Sequence, residues 1–312
     1  MKRFLTKVAI MLLCCLIIAA LLLAVTFFWA APQFQSKYTG AIQDKVQRLC
    51  SIDEPKIILV GDSNLAFGIQ SPMIEEALEL PVVNLGGHGG LGLEFSLNMA
   101  KCNIQEGDIV IVSCALLDSR GMRDSELGWI SIENYGLWSL VPEVDYSNMA
   151  RTLPKYVTKT LLHWALGTGN APGNDCYTRD SFNEYGDNIY PRPESIHTFT
   201  KGSESLPILI PDCADALNEF NAYCESQGAV CLISLSPIAK GEFTAPVESF
   251  EEYQKSLEDQ LDATVISDVT DYFFPYEQFY DTNYHLTDEG AVIRTEQLIA
   301  DLKNWQSSEQ GS

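Results

Sequence analysis

Two hydrophobic patterns divide the chain. Val8 to Ala31 is an apolar run of 24 residues in which Thr26 is the one clearly polar member. A helix of that length reaches about 36 Å, against about 30 Å for the hydrocarbon core of a bilayer. It has no polar face, which a helix at the edge of a soluble core would need. Residues 8–31 are therefore expected to cross a membrane once. Lys2, Arg3 and Lys7 precede the run and no acid does, so the asymmetry of basic residues puts the N-terminus in the cytoplasm and everything after Ala31 outside. Phe27, Phe28 and Trp29 stand where an interfacial aromatic belt would. The competing reading is a cleaved signal peptide. Its apolar stretch is ordinarily shorter, and Trp29 occupies a position where cleavage wants a small residue.

Beyond Ala31 the pattern changes to short alternating elements. Residues 32–54 read as a polar stem containing a short helix over 39–49. An apolar strand, 57–60, runs straight into Gly61-Asp62-Ser63, and a helix starts at Ser71-Pro72. A second strand, 81–85, runs into the glycine turn 86–90, followed by a helix over 91–102 and a third strand, 108–113. Strands this continuously apolar suit a parallel sheet covered by helices on both faces. The alternation breaks over about 119–206, where two helical pieces, 144–153 and 154–166, precede a loop rich in Gly, Asn, Pro and Tyr. It resumes with a helix over 212–227, a strand over 229–235, a helix over 247–261 and a short strand, 264–267. Thr287 then caps a last helix ending near Trp305, with 307–312 as a tail. The pattern predicts one doubly wound α/β domain over 55–306, enlarged by an insertion. Ligands of such sheets bind beyond the carboxyl ends of the strands.

Charge narrows the partners. The 312 residues hold 42 acids and 20 bases, a net charge of −22; three of the bases precede Ala31, so the remainder carries 17 against 42, or −25. Nucleic acid is excluded as a partner, since phosphate backbones are held by clustered Lys and Arg. Seven of the nine cysteines follow the apolar run without CxxC or regular spacing, and His163 and His197 lack metal-ligand spacing. No metal and no cofactor is expected. Gly86 to Gly90 is only a loose match to a dinucleotide-binding turn, and Gly61-Asp62-Ser63 is not one.

Three places carry possible chemistry. Ser63 stands at the carboxyl end of the first strand and needs a base to act as a nucleophile. The turn Gly86-Gly87-His88-Gly89-Gly90 can aim N–H groups at a developing oxyanion. His285 precedes the last helix with Asp281 four residues upstream, and a histidine held by a carboxylate is the base that such a serine requires. The tyrosines and tryptophans of the insertion, Tyr177 among them, either face sugar rings or form the insertion's own core.

The order of Ser63, glycine turn, Asp281 and His285 resembles the SGNH (GDSL-like) hydrolase superfamily, over roughly residues 55–118 and 208–303. The resemblance implies a three-layer, flavodoxin-like parallel sheet in which Ser63 is the nucleophile, His285 the base and Asp281 its orienting acid. Counted from Asn84, the family's oxyanion glycine falls on Gly89, with Gly86 as the near alternative. A single-pass anchor before such a domain resembles the membrane-anchored esterase and acyl-transfer members. It implies an extracytoplasmic esterase or O-acyltransferase acting on acyl esters of cell-envelope glycans. Two positions depart from the pattern. Leu117 stands where the third block has an asparagine, so one oxyanion donor is missing or supplied from elsewhere, by Asn64 or His88. Thr282 stands where the family has its Asp, with Asp281 one residue further back. These departures motivate the alternative, a binding or assembly protein of the cell surface that keeps the fold and little chemistry.

Overall fold

The computed structural model describes residues 1–115, 117, 119–169, 175–202, 205–239 and 241–311. The apolar run forms α1 (Lys2–Val25), which continues through a π turn, Thr26–Ala30, and a 3-10 turn, Ala31–Phe34. This is one N-terminal helix long and apolar enough to cross a membrane. It differs from the expected 8–31 span at its far end. Thr26, Ala30, Ala31 and Phe34 are buried against protein. The Thr26 hydroxyl is satisfied by Leu22 O at 2.8 Å, which lets a polar residue sit in this helical rod.

Residues 32–54 are not a free stem. They contain α2 (Ala41–Ser51), whose Ile42 and Leu49 are buried in the main core. The polar look of this segment comes from its other face; one amphipathic stripe is enough to dock it.

The sheet follows. β1 (Ile57–Gly61) leads into the short helix α3 (Ser63–Gly68), and α4 (Ser71–Leu78) leads to β2 (Val82–Asn84). Next come α5 (Leu93–Ala100) and β3 (Ile109–Ser113). α6 (Asp124–Ile132) and α7 (Tyr146–Leu166) follow, and after a long loop α8 (Pro211–Ser226) and β4 (Val230–Ile233). The chain closes with β5 (Ile238–Ala239), α9 (Val247–Gln260), β6 (Thr264–Val265), β7 (Phe273–Phe274) and α10 (Asp288–Gly311). Five strands form one sheet in the order β2-β1-β3-β4-β6, every pairing parallel. β5 and β7 make a separate parallel pair.

Alternate residues of the strands feed two cores. Ile58, Val60, Val110 and Val112 pack with Leu49, Phe95 and Phe220 on one face. Ile57, Leu59, Ile111 and Leu232 pack with Ile74, Leu298 and Leu302 on the other. Helices therefore cover both faces, which is what makes the strands apolar throughout. Gly61 ends β1 under tight constraint: a Cβ there would lie 2.0 Å from Ser113 O across the β1–β3 pairing.

Two expected helices change. The pieces at 144–153 and 154–166 are one helix, α7, with Pro154 inside it. Pro154 is exposed, so the carbonyl it orphans meets water, while Leu153, Tyr156 and Val157 hold the helix by packing on Ala31 and Ile132. The last helix runs on through the expected tail to Gly311, with Thr287 Oγ1 accepting from Gly290 N at 3.1 Å near its start. Ser312 of the expected tail and positions 170–174 of the expected insertion lie outside the described residues.

Candidate active site

Ser63 is the first residue of α3, two residues past the end of β1. Asp62 sets that turn: Oδ1 accepts from Asn64 N at 2.9 Å and Oδ2 from Ala115 N at 2.8 Å. The serine is thereby fixed between the ends of β1 and β3.

Ser63 Oγ lies 2.8 Å from His285 Nε2, and His285 Nδ1 lies 2.8 Å from Asp281 Oδ1. The loop that carries both closes like a hairpin, with a bridge between Phe279 and Leu286 and Tyr280 N donating to His285 O at 2.7 Å. Thr282, in the place where the resemblance put an acid, has another task. Its Oγ1 accepts from His285 N at 3.1 Å and from Tyr284 N at 3.2 Å. That side-chain turn tightens the loop by enough for the acid one residue further back to reach the ring.

Three contacts around the histidine were not foreseen. Phe67 of α3 stacks on the imidazole, centroids 4.1 Å apart and planes at 11°. The Tyr177 hydroxyl donates to Asp281 Oδ2 at 2.5 Å and stands 3.1 Å from His285 Nδ1. Burial pushes the Asp281 carboxyl up, but the bonds from His285 and Tyr177 and the charge of the ring outweigh it, leaving Asp281 below the usual carboxylate range. Burial, then the bond and charge of Asp281, push the Tyr177 phenol up, so it remains a donor.

The glycine turn is braced rather than loose. Asn84 Oδ1 accepts from Gly86 N at 2.9 Å, and Asn84 Nδ2 donates to Leu65 O of α3 at 3.0 Å. Lys45 of α2, 3% exposed, donates to Asn84 O, Gly86 O and Gly186 O at 3.2, 2.7 and 2.5 Å. A residue of the expected stem thus holds the turn that faces the serine. Gly90 backs on Glu126, whose carboxylate would lie 2.6 Å from a Cβ at that position.

Of the expected oxyanion donors, the structure leaves Gly89 free to serve and removes two. The Gly86 N–H is taken by Asn84. Asn64 is wholly buried: its Nδ2 donates to Asp62 Oδ1 at 2.5 Å and to Ser113 O at 3.0 Å, while Arg294 Nη2 donates to Asn64 Oδ1 at 2.6 Å. Asn64 is a brace for the serine turn, held by a buried arginine 230 residues away. The Gly87 N–H also has an acceptor, Gly61 O, and the Gly90 N–H shares His88 Nδ1 with Glu126. Among the described residues, the N–H groups of Ser63 and Gly89 meet no acceptor, and neither does that of His88. Leu117 is buried in the core and bridges Leu209, so it contributes nothing polar to this place.

The cleft over Ser63 has a volume of about 380 Å³ and is walled by Tyr38, His88, Gly89, Arg123, Tyr177 and His285 among others. Arg123 is its one Lys or Arg among the described residues. His88 forms a second histidine–carboxylate pair there, Nδ1 lying 3.1 Å from Glu126 Oε1. Among the described residues, no group of three or more His, Cys, Asp and Glu side chains is placed to hold a metal ion.

No protein-family profile, curated protein or solved structure matches this chain.

Proposed function

We propose that the chain is a membrane-anchored serine esterase or O-acyltransferase of SGNH (GDSL-like) type, with its main domain outside the cytoplasm. The observation that carries this reading is the relay Ser63–His285–Asp281, at 2.8 Å for each link, at the mouth of a cleft beyond the strand ends. The sheet order β2-β1-β3-β4-β6 agrees with the flavodoxin-like arrangement of such enzymes. The basic residues Lys2, Arg3 and Lys7 before the apolar helix favour an N-terminus inside. Acyl esters of cell-envelope glycans are the substrate class that this position offers.

The chemistry runs in two steps. Ser63 Oγ attacks the acyl carbonyl carbon as His285 Nε2 takes its proton, and the Ser63 and Gly89 N–H groups receive the oxyanion. The tetrahedral adduct collapses to an acyl-serine, and the departing alcohol takes the proton from His285. Water or a second hydroxyl then gives its proton to His285 as it attacks the acyl-serine, and the proton passes on to Ser63 Oγ as the acyl–oxygen bond breaks. Asp281, fixed by Tyr177, keeps the proton of the resting imidazole on Nδ1 and so leaves Nε2 as the acceptor.

The test uses the full chain in detergent with 4-nitrophenyl acetate. Ser63→Ala is expected to lower turnover at least about 10³-fold. Equal turnover by both proteins would overturn the enzyme reading. It would leave the alternative of a binding or assembly protein, which the buried Leu117 at the third-donor place favours.

A further inference from the structure

A second cavity, about 540 Å³, adjoins the Ser63 cleft and shares Tyr38, His88 and Tyr177 with it as a common wall. Its own walls come from the segment after α1 and from α6 and α7: Phe34, Trp129, Ile132, Tyr156 and Thr160. Lys37 and Lys159 also line it. The Ser63 chemistry uses none of these side chains.

The cavity's position follows from how α1 joins the domain. Phe27 packs edge-on against Tyr135 and Trp138, with centroids 5.3 and 5.8 Å away, while Phe28 and Trp29 are exposed. This makes an aromatic collar of the kind found at a bilayer surface. Phe34, a cavity wall, follows seven residues later in the same helical rod, about 10 Å further along at helical rise. Gln33 Nε2 donates to Thr160 O at 3.2 Å, so the rod is fixed to α7 at the height of the cavity.

We infer that this cavity takes the acyl chain of the ester that Ser63 attacks, a chain of medium length or longer, drawn in acyl transfer from a lipid of the adjacent leaflet toward a glycan hydroxyl, with its carbonyl presented to Ser63 across His88 and Tyr177. The aromatic and aliphatic walls suit a methylene chain. The shared wall lets one substrate reach both cavities. Lys37 and Lys159 offer cations to the anionic part of a lipid in a chain whose charge is otherwise strongly negative. The inference rests on the esterase or acyltransferase reading for its carbonyl at Ser63; the occupant of the cavity is testable apart from it.

The experiment titrates octanoate into the full chain carrying Ser63→Ala, in lipid nanodiscs, by calorimetry. Adding Thr160→Trp fills the cavity and is expected to weaken octanoate binding at least tenfold, since each buried methylene is worth about a fourfold change. Adding Trp129→Ala instead widens it and is expected to shift the preference from octanoate toward dodecanoate. Nanodisc partitioning is common to all the proteins and cancels in the comparison. If Thr160→Trp lowers the melting temperature sharply, the Trp129→Ala shift decides. Octanoate heats that are the same in the parent and both cavity variants would overturn the inference. Turnover of 4-nitrophenyl acetate by the chain with Ser63 intact reads the catalytic proposal separately: its absence with octanoate binding intact removes the ester chemistry and keeps the cavity's ligand.

Discussion

The cleft holds two histidine–carboxylate pairs, and they differ in what faces the ring. In His285–Asp281 the carboxylate is on Nδ1, a serine hydroxyl is on Nε2, and Phe67 covers the ring face. In His88–Glu126 the carboxylate is also on Nδ1, but Gly90 N approaches the same atom at 3.3 Å. Those two contacts exclude each other: a protonated Nδ1 donates to Glu126, and an unprotonated one accepts from Gly90. His88 is also more open, with 39% of its side chain exposed against 8% for His285. A carboxylate partner alone does not make a catalytic base. A base needs a carboxylate on one nitrogen and a hydroxyl on the other, and of the two pairs His285 is the one with that arrangement.

The largest test of this contrast removes each ring in turn. His285→Ala is expected to cost 4-nitrophenyl acetate turnover about 10³-fold or more, against less than about tenfold for His88→Ala. Comparable losses would mean that the second pair shares the chemistry. The next test neutralises the acid. Asp281→Asn should lower turnover about 10²–10⁴-fold with little change in KM, because it releases the tautomer rather than the substrate. A loss confined to KM would remove Asp281 from the orienting role. Tyr177→Phe deletes one of the hydrogen bonds that keep the Asp281 carboxyl low. It should reduce kcat severalfold and move the acid limb of the pH–rate profile, while an unchanged profile would make the phenol merely structural.

A third carboxylate sharpens the comparison through stability. Asp281 and Glu126 have histidine partners, and although burial pushes both up, their hydrogen bonds bring both below the ordinary range. Glu133, in the wall of the second cavity, moves the other way. Burial raises it from 4.5 to about 7, against the opposing pull of Lys37 and the Thr39 hydroxyl. The folded chain therefore binds this proton more tightly than the unfolded chain. Stability should fall as pH rises from about 4.5 to about 7, by at most about 3 kcal/mol. Glu133→Gln should flatten that part of the melting-temperature profile. A profile that stays as steep would show that Glu133 is not the buried acid responsible.

The sequence was most legible where local rules operate. Ser63 was visible because a strand end followed by Gly-Asp-Ser exposes one side chain at the sheet edge. His285 and Asp281 were visible because they precede a capped helix in a short loop. Tyr177 was named only among the insertion's aromatics, because it reaches Asp281 across 104 residues of chain and nothing in its neighbourhood marks it. Lys45 and Arg294 were missed for the same reason: each looks like an ordinary helix cation until the fold buries it against carbonyls. The docking of 32–54 was missed because a short amphipathic helix carries too few apolar residues to tell a stem from a core element.

By itself the sequence determined one apolar helix of membrane-spanning length, a parallel α/β sheet and the residue types at the strand ends. These follow from periodicity and local turn chemistry, which act over a few residues. Tertiary structure alone decided that Asp281 meets the ring while Thr282 turns the loop, and that Asn64 braces rather than binds. It also decided that the rod after the apolar helix walls a cavity beside the serine. Those outcomes depend on which distant groups satisfy each buried donor and acceptor, and sequence spacing does not record that assignment.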